Sequence, residues 1–306
     1  MWKHMTTCLI VLAALPGPQL QSPPASTTEV KAVATVAFTE GPTVDAEGNV
    51  YFSEIFSGRI LRFTPGKSVS VFREKSNRSN GLIFDEQWRL VACEAEPPRV
   101  TRTDMTTRVT EVLADSYEGR PLVGPNDVTL DSMGRLYFTD MPGGAVYRID
   151  PDRRLTRILS APAIQRPNGI VISPDDRVLY LVEANQAEGG ARMIRAYELA
   201  KDGSVSDMRV HFNFYPGRSA DGLAIDTQGN IYAAAGLNRR RGTSETLDTR
   251  PGIHVISPEG RLVRYYPILE DTVTNCAFGG PDMKTLYVTA GKTLFEIRTD
   301  ISGTRR

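Results

Sequence analysis

The sequence is poor in the side chains that usually carry nucleophilic or soft-metal chemistry. Its 306 residues include three cysteines (Cys8, Cys93, Cys276) and three histidines (His4, His211, His254). No two cysteines stand in the CxxC spacing of a zinc or redox site, and neither a Gly-x-Ser-x-Gly elbow nor a glycine-rich phosphate loop is present. His211 and His254 both fall in segments that pattern as outer strands, which argues against a Ser-His-Asp triad. An excess of charge of one sign is also missing. The 36 basic and 36 acidic side chains cancel, so the basic footprint of a nucleic-acid binder is excluded and no nucleic-acid partner is expected. Long hydrophobic runs are absent too. The apolar stretch from Cys8 to Leu15 is too short for a comfortable membrane span.

That stretch has a different meaning. Lys3 and His4 precede it, and Pro16, Gly17 and a polar segment through Thr28 follow. A short basic end, a short apolar core and a break form the layout of a signal peptide. Residues 1–26 are therefore expected to be a leader and short linker, cleaved somewhere between about Ala14 and Ser26. The protein is expected to be exported, periplasmic or secreted, with no membrane span in the mature chain. No small-residue lipobox leads to Cys8, which argues against a lipid anchor. Cys93 and Cys276 remain; they lie in predicted strands of different repeats and are expected to be two buried thiols.

One pattern recurs six times over residues 27–306. It begins at Glu40, Asn80, Asn126, Asn168, Asp221 and Asn275, as in Asn126-Asp-Val-Thr-Leu-Asp-Ser-Met-Gly-Arg-Leu-Tyr-Phe138. Successive starts are 40, 46, 42, 53 and 54 residues apart. Units of this length with alternating, β-branched content and no period-3.6 stripe predict the blades of an all-β, six-bladed β-propeller. Asp45 to Gly48, Asp131 to Gly134 and Asp226 to Gly229 predict the turn between the first two strands of a unit; in the second unit Trp88 stands where the others have Gly. The sixth unit holds only three strands before the chain ends. The segment 29–34, just before the first unit, is expected to supply the fourth and to close the ring, which protects that edge.

The first residue of every unit lies where a connection enters the innermost strand, and innermost strands line the channel of a propeller. Glu40, Asn80, Asn126, Asn168, Asp221 and Asn275 are therefore expected to converge at one mouth. Each carries an oxygen. Asn-Gly and Asp-Gly are also common turn dipeptides, but turn chemistry does not account for Glu40 before Gly-Pro or for Asn126 before Asp. A ring of carboxylates and amides without His or Cys predicts a hard-cation site. One divalent ion is expected, calcium ahead of magnesium, manganese or zinc, with Glu40 and Asp221 neutralising it. Two further features leave alternatives open. Glu54, Glu94, Asp140 and Glu183 end the second strands of the first four units and either rim the pocket or are simply solvated. The connection 236–250, with Arg239, Arg240 and Arg241, is either a solvated loop or a lid that attracts anionic substrates.

Glu40-Gly41-Pro42, Asn80-Gly81-Leu82, Pro125-Asn126-Asp127 followed by Leu136-Tyr137-Phe138-Thr139-Asp140, Pro167-Asn168-Gly169 and Asp221-Gly222 together resemble the senescence-marker-protein/gluconolactonase family, over the chain from Ala37 to Arg298. The resemblance implies a six-bladed propeller with one catalytic divalent cation held by Glu40, Asn126, Asn168 and Asp221. It implies that Asp221 acts as general base or nucleophile, and Asn80, Asn126 and Asn275 are expected to contact substrate. Some sugar-lactonase relatives carry an Arg two residues before the Asn that aligns with Asn126; this chain has Gly124 there. The expected activity is hydrolysis of a small lactone, most simply a sugar lactone, by a monomer. The alternatives are a calcium-dependent phosphotriesterase or arylesterase and a non-enzymatic ligand- or protein-binding propeller.

Overall fold

The computed structural model describes residues 28–305; the leader expected at residues 1–26 lies outside them. Six four-stranded antiparallel sheets follow one another along the chain, and their innermost strands surround a channel, as the six-fold repeat predicts. Successive side chains of a strand point to opposite faces of its sheet, and each blade uses both. In blade 1, Val50 and Phe52 face Tyr287 and Leu294 of blade 6, whereas Tyr51 between them faces Leu82 and Phe84 of blade 2. The same division runs round the ring, so the described residues hold six apolar clusters, each seated between two neighbouring blades.

A ring of such interfaces must be closed. The last three strands, Val273–Gly279, Thr285–Ala290 and Thr293–Arg298, are completed on the outside by Val30–Thr35. That strand runs antiparallel to Thr293–Arg298, with Val30 opposite Ile297 and Thr35 opposite Thr293. Val30 packs on the cluster between blades 5 and 6, and Val33 and Ala34 on the one between blades 6 and 1. The closing strand thus stands one residue from its predicted place.

The turn between the first two strands of a blade is built from the acid that opens it. Asp131 Oδ1 accepts the amides of Met133 and Arg135, and Asp226 Oδ1 those of Gln228 and Asn230. In blade 2, Asp85 does the same for Gln87 and Arg89. Trp88 takes the left-handed φ of 57° that Gly48, Gly134 and Gly229 hold in the other turns. Its ring packs 6.0 Å from Phe84, a contact that offsets the backbone cost of a side chain at that φ. Cys93 and Cys276 are both buried free thiols, as expected.

Deleting Val30–Thr35 is expected to lower the unfolding free energy by at least about 3 kcal/mol, because the apolar contacts of Val30 and Val33 are lost and a sheet edge is bared. Lys31→Ala removes only an exposed ion pair to Glu296 and should cost less than about 1 kcal/mol. Urea melts of the two variants that coincide would show that closure does not depend on this strand.

Candidate active site

In every blade the innermost strand breaks its ladder with the second strand as it leaves the channel mouth. The register shifts fall between Glu40 and Thr43, Ser79 and Leu82, Pro125 and Val128, Pro167 and Ile170, Ala220 and Leu223, and Val273 and Asn275. A bulge at the rim of a closed array re-aims the side chain it carries. Here it falls on the ring residue or beside it, and so turns six oxygen-bearing side chains toward the axis.

The glycine that follows four of these residues has a packing reason. A Cβ on Gly41 would lie 2.2 Å from the Asn80 carbonyl oxygen, one on Gly81 2.7 Å from the Asn126 carbonyl, one on Gly169 2.3 Å from the Asp221 carbonyl and one on Gly222 2.0 Å from Asn275 Cγ. Adjacent innermost strands approach too closely there for any side chain. Asn80-Gly81, Asn168-Gly169 and Asp221-Gly222 thus lie within strands rather than in turns.

Blade 3 breaks the rule with Asp127. Its carboxylate crosses the channel to the opposite blade, where Asn275 Nδ2 donates to Oδ2 at 3.2 Å, while the Val128 amide donates to Oδ1 at 3.0 Å. Asn275 is occupied by this contact and by the Cys276 amide on its Oδ1. Above the pair, Asn168 Nδ2 donates to Asp221 Oδ1 at 2.7 Å, and Arg218 donates to Asp221 Oδ2 at 2.5 Å and to the Val273 carbonyl at 3.0 Å. Glu40 Oε2 accepts the Gly41 amide. Among the described residues, the Asn80 and Asn126 side chains make no hydrogen bond, which leaves their amides for a ligand. The side chain of Asp221 remains 14% exposed: protein encloses it except toward the mouth.

The electrostatics follow from this crowding. Burial pushes the Glu40 carboxyl well above the usual carboxylate range, and the charges of Asp221 and Asp127 push it further. Burial also raises Asp221, against the pull of Arg218 and the Asn168 amide, and the Arg241 charge reaches it as well. Asp127 is pushed up to about 7 by burial, against its bonds to the Val128 amide and Asn275. Three carboxylates therefore face one another with one guanidinium hydrogen-bonded among them. Among the described residues, no three of His, Cys, Asp and Glu are arranged to hold a metal by themselves. A cation at this mouth would need amide oxygens beside Glu40 and Asp221, and the ring asparagines Asn80, Asn126 and Asn168 carry such oxygens. That donor set is entirely hard oxygen and fits a calcium-class ion. Each Asp221 oxygen keeps a second lone pair beyond the bond it already accepts.

One expectation changes. The acids that end the second strands neither rim the pocket nor sit in solvent; three of them latch the connection that enters their own blade. Asp140 accepts the amides of Val123 and Gly124, just before Asn126, and Glu183 those of Gln165 and Arg166, just before Asn168. Glu94 holds the side chains of Asn77, Arg73 and Arg99. Glu54 is equally buried, but its Oε1 has no partner. Arg218 and Asp127 were not singled out from the sequence. Asp127 had one legible signal, the break in the Asn-Gly rule; Arg218 had none. Gly124 lies against Pro142, 2.9 Å from where a Cβ would be, so a side chain at this point would require Pro142 to shift. His211 and His254 stand in outer strands, each lowered to about 4 by burial, and are neutral at neutral pH.

A cavity of about 990 Å³ opens at the other end of the channel among the turns that start at Asp45, Asp85 and Asp131. Its wall mixes apolar strand residues with the polar side chains of those turns, and of the six ring residues only Asn275 reaches it, next to Asp127. The Asp127–Asn275 pair therefore forms a polar partition between the lower cavity and the upper mouth.

A six-bladed ring with this mouth matches one sequence family. The model of the SMP-30/gluconolactonase/LRE-like region covers residues 38–292. The chain belongs to that family. Among its relatives, a gluconolactonase of Zymomonas mobilis is 26% identical over 316 residues, covering 90% of this chain and 83% of its own. The pentonolactonase XacC of Haloferax volcanii is 27% identical over 258 residues, covering 82% and 80%. A solved structure of a gluconolactonase from Xanthomonas campestris superposes with a TM-score of 0.74 at 26% identity, covering 86% of each chain.

The raised Asp127 carboxyl carries a stability signature. Between an unfolded pKa near 3.9 and a folded value of about 7, the native state binds a proton that the unfolded state releases, so stability falls as pH rises through that window. The two depressed histidines act in the opposite sense below about pH 6.5, but they cancel in a comparison with Asp127→Asn. In chelator, the stability of wild type relative to Asp127→Asn is expected to fall by about 1 kcal/mol from pH 6 to pH 8. Parallel curves from urea titrations at the two pH values would place the proton elsewhere.

Proposed function

We propose that the protein is a divalent-cation-dependent lactonase that opens a small lactone, most simply a sugar lactone, at the upper mouth of the channel. The observation that carries this reading is the pairing of Glu40 with Asp221, two enclosed carboxylates two blades apart on a polar ring, in a family whose named relatives include gluconolactonases and a pentonolactonase. A scaffold that only bound partners would gain nothing from burying them together. Glu40, Asn126, Asn168 and Asp221 are the residues that would hold a calcium-class ion. When bound, such an ion supplies Lewis-acid polarisation of the lactone carbonyl.

The chain's own groups divide the remaining work. Asp221 is the candidate base or nucleophile. Arg218 and Asn168 grip its two oxygens from either side and fix its orientation, and its neighbour Gly222 leaves room for the Asn275 side chain beside it. The positive charge of a cation together with Arg218 favours the ionised form of Asp221 at neutral pH, against the burial that raises it. Asn80 and Asn126, whose amides are unengaged, are the candidate donors to substrate oxygens. Asn275 was expected beside them, but it is tied to Asp127 and Cys276 and shapes the floor of the site.

Two experiments bear on this reading. Calorimetry with calcium should give one site for the wild type and none for Glu40→Ala combined with Asp221→Ala; unchanged affinity in the double variant would remove both residues from the metal site. With calcium saturating, Asp221→Asn should retain metal yet lose about 10² to 10⁴ of the turnover of glucono-1,5-lactone in a pH-stat assay, the scale of a general base. Turnover near wild type would leave Asp221 as a ligand only. A calcium-loaded wild type inert toward aldonolactones, aryl esters and organophosphates alike would instead favour a binding propeller.

A further inference from the structure

The connection between the second and third strands of blade 5, residues 236–250, is far longer than its counterparts and is built rather than loose. Its neck is pinched: Gly236 has a φ of 94°, and a Cβ there would lie 2.1 Å from the Arg250 carbonyl oxygen. The Leu237 amide donates to the Thr249 carbonyl at 3.2 Å. Such a loop, with its ends together and its body packed on the surface, has the form of an Ω-loop. On one side it is fastened to blade 4 and the connection that follows it. Arg192, the largest fully buried side chain, donates to the carbonyls of Pro216 and Ser244 at 2.7 and 3.4 Å and also to the Ser244 hydroxyl. The Ser244 hydroxyl donates in turn to the Gln186 carbonyl at 2.9 Å, and the Thr246 amide to the Pro216 carbonyl at 3.0 Å. On the other side the loop is fastened to blade 6. Asp271 pairs with Arg241 at 3.4 Å and accepts the Asn238 amide at 3.0 Å, and Arg241 also bonds the Thr272 hydroxyl.

Between these anchors the loop presents Arg239 and Arg240, both exposed, beside a shallow cavity of about 530 Å³ at the channel mouth. Lys292, from the turn between the last two strands of the chain, faces it from the other side. The cavity is walled by residues that lead into the ring strands. Phe38 in its wall precedes Glu40 by two residues, and Thr272 precedes Val273, whose carbonyl holds Arg218. The wall includes two acids, but both are committed. Asp271 serves Arg241 and Asn238, and Glu270 Oε1 accepts the Lys292 amide at 2.8 Å. Among the described residues, Arg239, Arg240 and the Lys292 ammonium have no ion-pair or hydrogen-bond partner. A chain with no net charge thus places a local excess of unpaired cations against the mouth of its candidate site, on a loop stiff enough to hold them there.

We propose that Arg239, Arg240 and Lys292 form a subsite for an anionic substituent, so that the substrates of this protein are lactones bearing a carboxylate or phosphate at the end remote from the ring carbonyl. Guanidinium groups suit either anion, since their planar donors match two oxygens at once. A neutral aldonolactone would occupy the metal-side half of the site and leave the basic half to water. This assignment rests on the lactonase reading for the chemistry, but not for the binding.

The test separates the two. Hydrolysis by the calcium-loaded protein is followed with glucono-1,5-lactone, its 6-phosphate and glucaro-1,4-lactone, for the wild type and for Arg239→Ala combined with Arg240→Ala. The expected result is a higher kcat/KM for at least one anionic substrate than for the neutral one. In the double variant that advantage falls about tenfold or more, chiefly through KM, while the neutral substrate changes less than about twofold. Whichever anionic substrate shows the loss identifies the anion. Calorimetry with 6-phosphogluconate, glucarate and gluconate gives a readout without turnover. Selective binding of an anion-tailed acid that is lost in the double variant supports the subsite even if no lactone is hydrolysed. Equal kcat/KM for neutral and anionic lactones with no effect of the double variant, or no preference among the three acids, overturns it. Lys292→Ala, on a different turn, guards against a misfolded loop: it should reproduce a smaller part of the same selective loss.

Discussion

Three carboxylates are held within electrostatic reach of one another at the axis of the channel, and one guanidinium is hydrogen-bonded among them. Burying like charges together is among the more costly arrangements a fold can maintain, and much of this molecule serves to maintain it. Arg218 is pinned between Asp221 and the carbonyl of Val273, so it bridges blades 5 and 6 while it compensates the charge. Asp127 is steadied by Asn275 from the opposite blade. Because such contacts cross the channel, no blade can relax without disturbing another.

The ring architecture makes the arrangement possible. Each blade shares an apolar cluster with both neighbours, so the six innermost strands are fixed relative to one another by burial all round the perimeter. The strands come so close that the residue after the ring position is glycine in four blades, and the bulge beside it aims the ring side chain inward. Three second-strand acids add a further restraint. Asp140 and Glu183 bind the backbone amides just ahead of Asn126 and Asn168, and Glu94 fastens the connection ahead of Asn80. The mouth is therefore organised before any ligand arrives, which is what transition-state stabilisation by fixed groups requires. The basic loop belongs to the same logic at longer range, since a buried arginine and two hydrogen-bonded neighbours hold it over the rim.

The division of the channel into two compartments also has a chemical sense. The wide lower cavity is walled by apolar strand residues and polar turn residues together, while the upper mouth is ringed by carboxylates and amides; Asp127 and Asn275 lie between them. Polar ligands that exchange hydrogen bonds with amides and carboxylates belong above, and the unengaged Asn80 and Asn126 stand there. In this geometry the identity of the substrate is decided less by the ring than by the loops around it.

The sequence by itself determined the blade count, the closing strand, the buried thiols, the turn acids and the six ring positions. These are local features, written in a period of two within strands and in a repeat of supersecondary units, so they survive without knowledge of the packing. It also determined the hard-oxygen character of the mouth, because composition alone leaves few histidines and cysteines to compete. Only the tertiary structure decided which side chains act together. Arg218 reads as one more polar residue in a connection until the strand that follows turns it onto Asp221. Asn275 reads like the other ring asparagines until Asp127 is seen to occupy it from across the channel. The second-strand acids read as solvated or pocket-lining until the connections fold back and set their amides against them. Arg239, Arg240 and Lys292 are distant in the chain and meet only because blades 5 and 6 are neighbours in a closed ring. In each case the deciding quantity is the direction of a side chain after a bulge or a long connection, and that direction is set by contacts between blades rather than by any periodicity along the chain.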